Sequence, residues 1–148
     1  MSERLNIIKK IFRDEMRAKI KIQEDFRKKM NAVSFANRTA EIMTGNSLHK
    51  TQQSVEHAIK GSKIREKFYR YAHNYNIEKV EKYATKINEF DLKEMDDYSE
   101  NTDTNSLFFT DTYERKTGEQ SYIDLCNSNK CDYEERTKII GIIKKIVG

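Results

Sequence analysis

Residues 4–31 read RLNIIKKIFRDEMRAKIKIQEDFRKKMN, with neither proline nor glycine to interrupt them. At 100° per residue Ile7, Ile8, Ile11, Phe12, Ile22, Phe26 and Met30 share one broad side, which predicts an amphipathic helix about 40 Å long at 1.5 Å per residue. Glu15, Lys19 and Gln23 run down the middle of that side. They divide it into an Ile7/Ile11/Ala18/Ile22 stripe and a Phe12/Met16/Ile20/Met30 stripe, so the helix needs two packing neighbours. Both can be helices of the same chain, or one stripe can belong to another subunit, with the polar seam fixing register.

The rest of the chain is equally poor in helix breakers. It has no proline at all, and its five glycines stand at Gly45, Gly61, Gly118, Gly141 and Gly148. Ser34 to Thr44 reads as a second, short helix ended by Gly45, and Ser47 then caps a longer one with Leu48, Val55, Ile59, Ile64, Phe68, Tyr71 and Tyr75 as apolar positions. Asn76 caps a third, with Ile77, Val80, Ala84 and Ile87 on one face. Asp91 and Glu94 form an Asp-x-x-Glu box for a last short turn, and DYSENTDTNS at 97–106 has the composition of a loop.

The period changes after residue 106. Leu107, Phe109 and Tyr113 alternate with Phe108, Thr110 and Thr112, Gly118 stands at a turn, and Tyr122 to Leu125 resumes a strand pattern, which predicts a β-hairpin. A lone hairpin is marginal in water, so it must lie on the helices or on another chain. Asp132 and Glu135 make a second capping box for a terminal amphipathic helix, Tyr133 to Val147, with Ile139, Ile140, Ile142, Ile143, Ile146 and Val147 on its greasy face. The expected fold is mainly α: a helical bundle with a long N-terminal helix, one β-hairpin near the C-terminus and a C-terminal amphipathic helix. Its parts are a helical domain at 1–98, an acidic polar linker at 99–106, and the hairpin plus last helix at 107–148.

Of 148 residues, 36% are hydrophobic and 35% charged, so the core is lean and the surface heavily solvated. No run approaches the roughly 18 apolar residues of a membrane span, and Glu3, Lys9, Lys10 and Arg13 leave no apolar centre for a signal peptide, so a cytoplasmic or virion setting is expected rather than a secreted one. The net charge of +4 is uneven: residues 1–30 hold ten Lys or Arg against five acids. Cys126 and Cys131 lie too far apart for a Cys-x-x-Cys motif and no second pair follows, so the expectation is two small residues closing the loop between the hairpin and the last helix, with a disulfide and then a metal site as the lesser alternatives. The 97–106 segment lacks the glycine and glutamate of a calcium loop.

No phosphate-binding loop, nucleophile elbow, zinc-protease or dinucleotide motif occurs, so no cofactor or small-molecule substrate is expected and the chain is read as non-enzymatic. Ala40, Gly45, Ser47, Val55 and Ile59 approximate a helix-turn-helix, but the interval from Ala40 to Gly45 is one residue too long and Thr51 occupies an aliphatic position. The favoured function is helical assembly or adaptor work, extending to a phage structural component, with a protein partner or homo-oligomer. Its contact residues are Ile7, Ile11, Phe12, Met16, Ile22, Phe109, Tyr113, Ile140, Ile143 and Ile146. The alternative is a small nucleic-acid-binding protein. KIREKFYRYAHNY at 63–75 interleaves cations with rings, and Arg13, Arg17, Lys21, Lys28 and an outer row of Arg65, Tyr69 and His73 would supply the surface. An enzyme without any standard motif is the third reading.

Overall fold

The computed structural model describes residues 2–106 and 112–148, and places them in four helices: α1 (Glu3–Thr44), α2 (His49–His73), α3 (Ile77–Ser106) and α4 (Thr112–Val147). The Ser2 hydroxyl accepts the Leu5 N–H at 3.2 Å to open α1. The two helices expected over 4–31 and 34–44 are one. Nothing between them breaks a helix, and Ser34 caps no helix start: its Oγ accepts from Gln52 Nε2 on α2 at 2.6 Å. Gly45 ends α1 in the left-handed conformation, φ 71°, its N–H returning to the Glu41 carbonyl at 2.8 Å. The turn into α2 is tied down by the Glu41 carboxylate, which accepts the Leu48 N–H at 2.7 Å.

Tyr75, expected on the apolar face of α2, lies in the turn to α3 with φ 57°, a conformation rare outside glycine. Its ring stacks on Phe12 with centroids 5.9 Å apart, and the Arg13 guanidinium sits 4.8 Å from the ring centroid. Asn76 opens α3 as expected, its Oδ1 accepting the Lys79 N–H at 3.2 Å.

Two boundaries move because the local signals there are weaker than continuity. Asp91 and Glu94 do not start a new turn, and 97–106 is not a loop but the C-terminal part of α3. Asp, Asn, Ser and Thr each cost a helix only about 0.7 kcal/mol or less, and no glycine or proline supports them here. The β-hairpin is likewise corrected: Tyr113, Gly118 and Tyr122 to Leu125 all lie within α4, and among the described residues there is no strand. Glu114, Arg115, Lys116, Glu119 and Gln120 are strong helix formers, and Gln120 Nε2 donates to Asp124 Oδ1 one turn on at 2.9 Å. A helix pairs its backbone within itself, whereas two strands would leave both edges open. Residues 107–111 of the first expected strand, Phe109 among them, lie outside the described residues. The Asp132/Glu135 box is interior to α4, so that helix begins some twenty residues before the expected Tyr133.

Cross-helix pairs define the topology. Ser62 with Gln23 and Gln52 with Ser34 set α1 against α2, Arg65 with Asp91 sets α2 against α3, and Arg136 with Asn88 sets α3 against α4. Lys19 pairs with Glu135 and brings α4 back to α1. Residue numbers rise on one member as they fall on the other, so the four helices run up, down, up and down as an antiparallel bundle. Phe12 and Met16, Phe68 and Ala72, Val80, Ala84 and Ile87, and Ile139 and Ile143 meet in one core. Of the greasy face of the last helix, Ile139 and Ile143 are therefore hidden by the chain itself, Ile140, Ile142 and Ile146 are half-buried, and Val147 is exposed. Among the described residues no helix is long and apolar enough to cross a membrane.

Candidate functional site: two faces of the first helix

Because α1 is the longest helix and packs chiefly on α2, most of its circumference faces outward. Of the two apolar stripes, Phe12 and Met16 enter the core, with Ile20 and Met30 half-buried. The other stripe is open: Ile7 is 58%, Ile11 61% and Ile22 62% exposed. Phe26, Val33, Phe35, Ile42 and Met43 are exposed farther along the same helix. Of the remaining expected contact residues, Ile143 is fully buried in the core, Ile140 and Ile146 are half-buried against it, and Tyr113 is in α4.

A different face of α1 forms an open groove of about 480 Å³ with α2, between Arg17, Ile20, Lys21, Glu24, Asp25 and Lys28 on one side and Arg70, His73 and Asn74 on the other. A second groove of about 440 Å³ continues it through Glu24, Arg27, Lys28, Asn31, Ile59 and Lys63. Several charges are already engaged. Arg70 Nη2 donates to Glu24 Oε1 at 2.5 Å, Arg27 pairs with the buried Glu66, and Arg17 reaches the exposed Asp14 at 3.3 Å. Lys21, Lys28 and Lys63 form no ion pair among the described residues.

The expected row of Arg65, Tyr69 and His73 divides. His73 stays at the groove, its Nδ1 3.4 Å from Asn74 Oδ1 and its Nε2 buried without a partner among the described residues. Arg65 and Tyr69 turn inward, because α2 packs against α1, α3 and α4 and its buried arc is wider than a single stripe. Arg65 Nη2 donates to Asp91 Oδ1 at 2.6 Å; Tyr69 packs edge-on to Phe68 at 5.5 Å between centroids, with the Lys19 ammonium 5.7 Å from its ring.

These inward groups belong to a polar knot that sequence reasoning missed. Asp91 is 4% and Arg136 5% exposed, and Arg136 Nη2 donates to Asn88 Oδ1 at 2.7 Å while standing 3.8 Å from Asp91 Oδ2, too far for a hydrogen bond. Asp91 Oδ2 and Arg136 Nε have no hydrogen-bond partner among the described residues. Burial pushes the Asp132 carboxyl up, against the pull of Arg65 and Arg136, and pushes the Tyr69 phenol up as well. Desolvation lowers Arg136, with Asp91 opposing. Desolvation also works against the Lys19 ammonium, but its bond to Glu135 and the charges around it leave its pKa raised. A readable signal existed: Val80, Ala84, Ile87 and Asp91 follow i, i+4, i+7, i+11 along the core face of α3.

Cys126 and Cys131 are both free, and five residues on a helix turn them about 140° apart. Among the described residues no group of three or more His, Cys, Asp or Glu could hold a metal ion. No protein-family model, curated protein or solved structure matches the chain.

Proposed function

We propose that this chain is a non-enzymatic α-helical assembly protein that associates with a second copy of itself through the outward stripe of α1. One observation carries the reading: Ile7, Ile11 and Ile22, each more than half exposed, lie with Ala18 along one line of a helix whose other apolar stripe already places Phe12 and Met16 in the core. The stripe is self-complementary. About a two-fold axis between Asp14 and Glu15, an antiparallel partner sets Ile7 against Ile22, Ile11 against Ala18 and Arg4 against Asp25. Each acid at the axis has a cation of its own chain nearby, Arg17 for Asp14 and Lys19 for Glu15. The last helix is left out of this contact because Ile139 and Ile143 dock on the chain's own core.

Size-exclusion chromatography with light scattering tests this on the parent chain and on Ile11→Glu. The parent should form a species larger than 17.6 kDa at micromolar concentration, and Ile11→Glu should return it to 17.6 kDa with unchanged helical content. A parent chain that stays monomeric, or an Ile11→Glu variant that assembles equally well, refutes the proposal.

A further inference from the structure

The outward stripe leaves the basic face of α1 unused, and that face has a shape as well as a charge. The two grooves between α1 and α2 share Glu24 and Lys28, so they make one slot along the outer seam of the pair. Six cations and two carboxylates line it, a surplus of four that equals the net charge of the whole chain. Glu24 is already held by Arg70, and Glu66, beneath the slot, by Arg27. Among the described residues the free charges at the rim are therefore cationic apart from Asp25: Lys21, Lys28 and Lys63 are uncommitted, and Arg17 is held by one exposed carboxylate.

Arg17, Lys21 and Lys28 recur at i, i+4 and i+11, so they stand on one side of α1 over a rise of about 16 Å at 1.5 Å per residue. Lys63 and Arg70, one helical ridge on α2, face them across the slot. A linear polyanion can lie between two such walls and be neutralised from both. A flat anionic membrane or a rigid duplex would meet the rim rather than both walls.

We infer that the slot between α1 and α2 binds the sugar-phosphate backbone of a single-stranded nucleic acid, with Arg17, Lys21, Lys28 and Lys63 on the phosphates. His73, whose ring nitrogen Nε2 lacks a partner among the described residues, stands at the end of the slot. With no row of aromatic faces in the slot, binding is carried by charge and shows little base preference.

The test is fluorescence anisotropy of the full-length chain with a labelled oligothymidylate, titrated upward from about 50 mM salt, where phosphate contacts are strongest. Four contacts predict a slope of log affinity against log salt near −3, and Lys21→Ala with Lys28→Ala should bring it to about −1.4 while weakening binding. Lys138→Ala with Lys145→Ala, on exposed positions of α4, should leave both affinity and slope unchanged. No binding at the lowest salt overturns the inference. So does an equal loss in the α4 variant, equal competition by duplex DNA, or equally tight binding to vesicles of anionic phospholipid.

Discussion

Removing the Asp91 carboxylate should be the most damaging polar substitution in the bundle. Asp91 is 4% exposed, bonds Arg65 at 2.6 Å and stands 3.8 Å from Arg136, whose side chain is 6% exposed. Asp91→Ala leaves two guanidiniums near each other with the Gly61 carbonyl, Asn88 and Asp132 to answer them. Breaking a buried pair from one side costs about 3–5 kcal/mol, two to four decades in the unfolding equilibrium and a large part of a total near 5–15 kcal/mol. Asp91→Asn keeps an acceptor for Arg65 and should cost less, about 1–3 kcal/mol. Adding Arg136→Ala to Asp91→Ala should cost less than the sum of the two, because the second change removes a charge the first had stranded. Urea unfolding followed by far-ultraviolet circular dichroism at neutral pH measures all four. An Asp91→Ala loss below about 1 kcal/mol, the worth of an exposed ion pair, would refute the account of a knot held by this carboxylate.

Gly118→Ala distinguishes the helix from the expected hairpin: inside α4 it should stabilise by about 0.5–1 kcal/mol, whereas at a left-handed turn it would destabilise, so a lower melting temperature contradicts the helix. Ile143→Ala, at a side chain with no exposure among four helices, should cost about 2–5 kcal/mol in the same urea assay; a loss under about 1 kcal/mol would mean that α4 does not dock there. Burial raises the Asp132 pKa, so the folded chain holds that proton more tightly than the unfolded chain. The stability linked to this group is then complete below the unfolded value of about 3.9 and declines as pH rises through the folded one. Asp132→Asn should therefore stabilise the bundle at neutral pH, with the gain shrinking as pH falls toward about 4; a gain independent of pH would refute the assignment.

What could be read from the residues depended on how strong each local signal was. The absence of proline and the apolar periodicity of α1, α2 and α3 identified helices correctly, and the left-handed Gly45 and the Asn76 cap stood where expected. The errors cluster at polar segments. Acidic residues at 91–106 and 132–135 resemble caps and loops because Asp and Ser satisfy backbone donors in short range, yet tertiary partners claimed them first: Arg65 took Asp91, and Lys19 took Glu135. The alternation at 107–125 was only a few residues long, too short to separate strand from helix by period. For the candidate site, the exposed stripe and Arg17, Lys21, Lys28 and His73 were legible from helical phase on α1 and α2. Arg65 and Tyr69 were not, since their inward direction follows from α4 returning to close the bundle, which no local pattern announces.

The main apolar cluster lies toward the end of the bundle where Phe12 and Ile143 meet, while at the opposite end, where Val55 is buried, α1 and the start of α2 are also joined by side-chain hydrogen bonds such as Gln52 to Ser34 and Asn37 to Gln52. Such bonds give way far more readily than packed rings, so the chain carries a gradient of protection from one pole to the other. Amide hydrogens around residues 34–55 should exchange with solvent through local fraying, long before those near Phe68 do, and the first helix can loosen its far half without the rest of the protein unfolding.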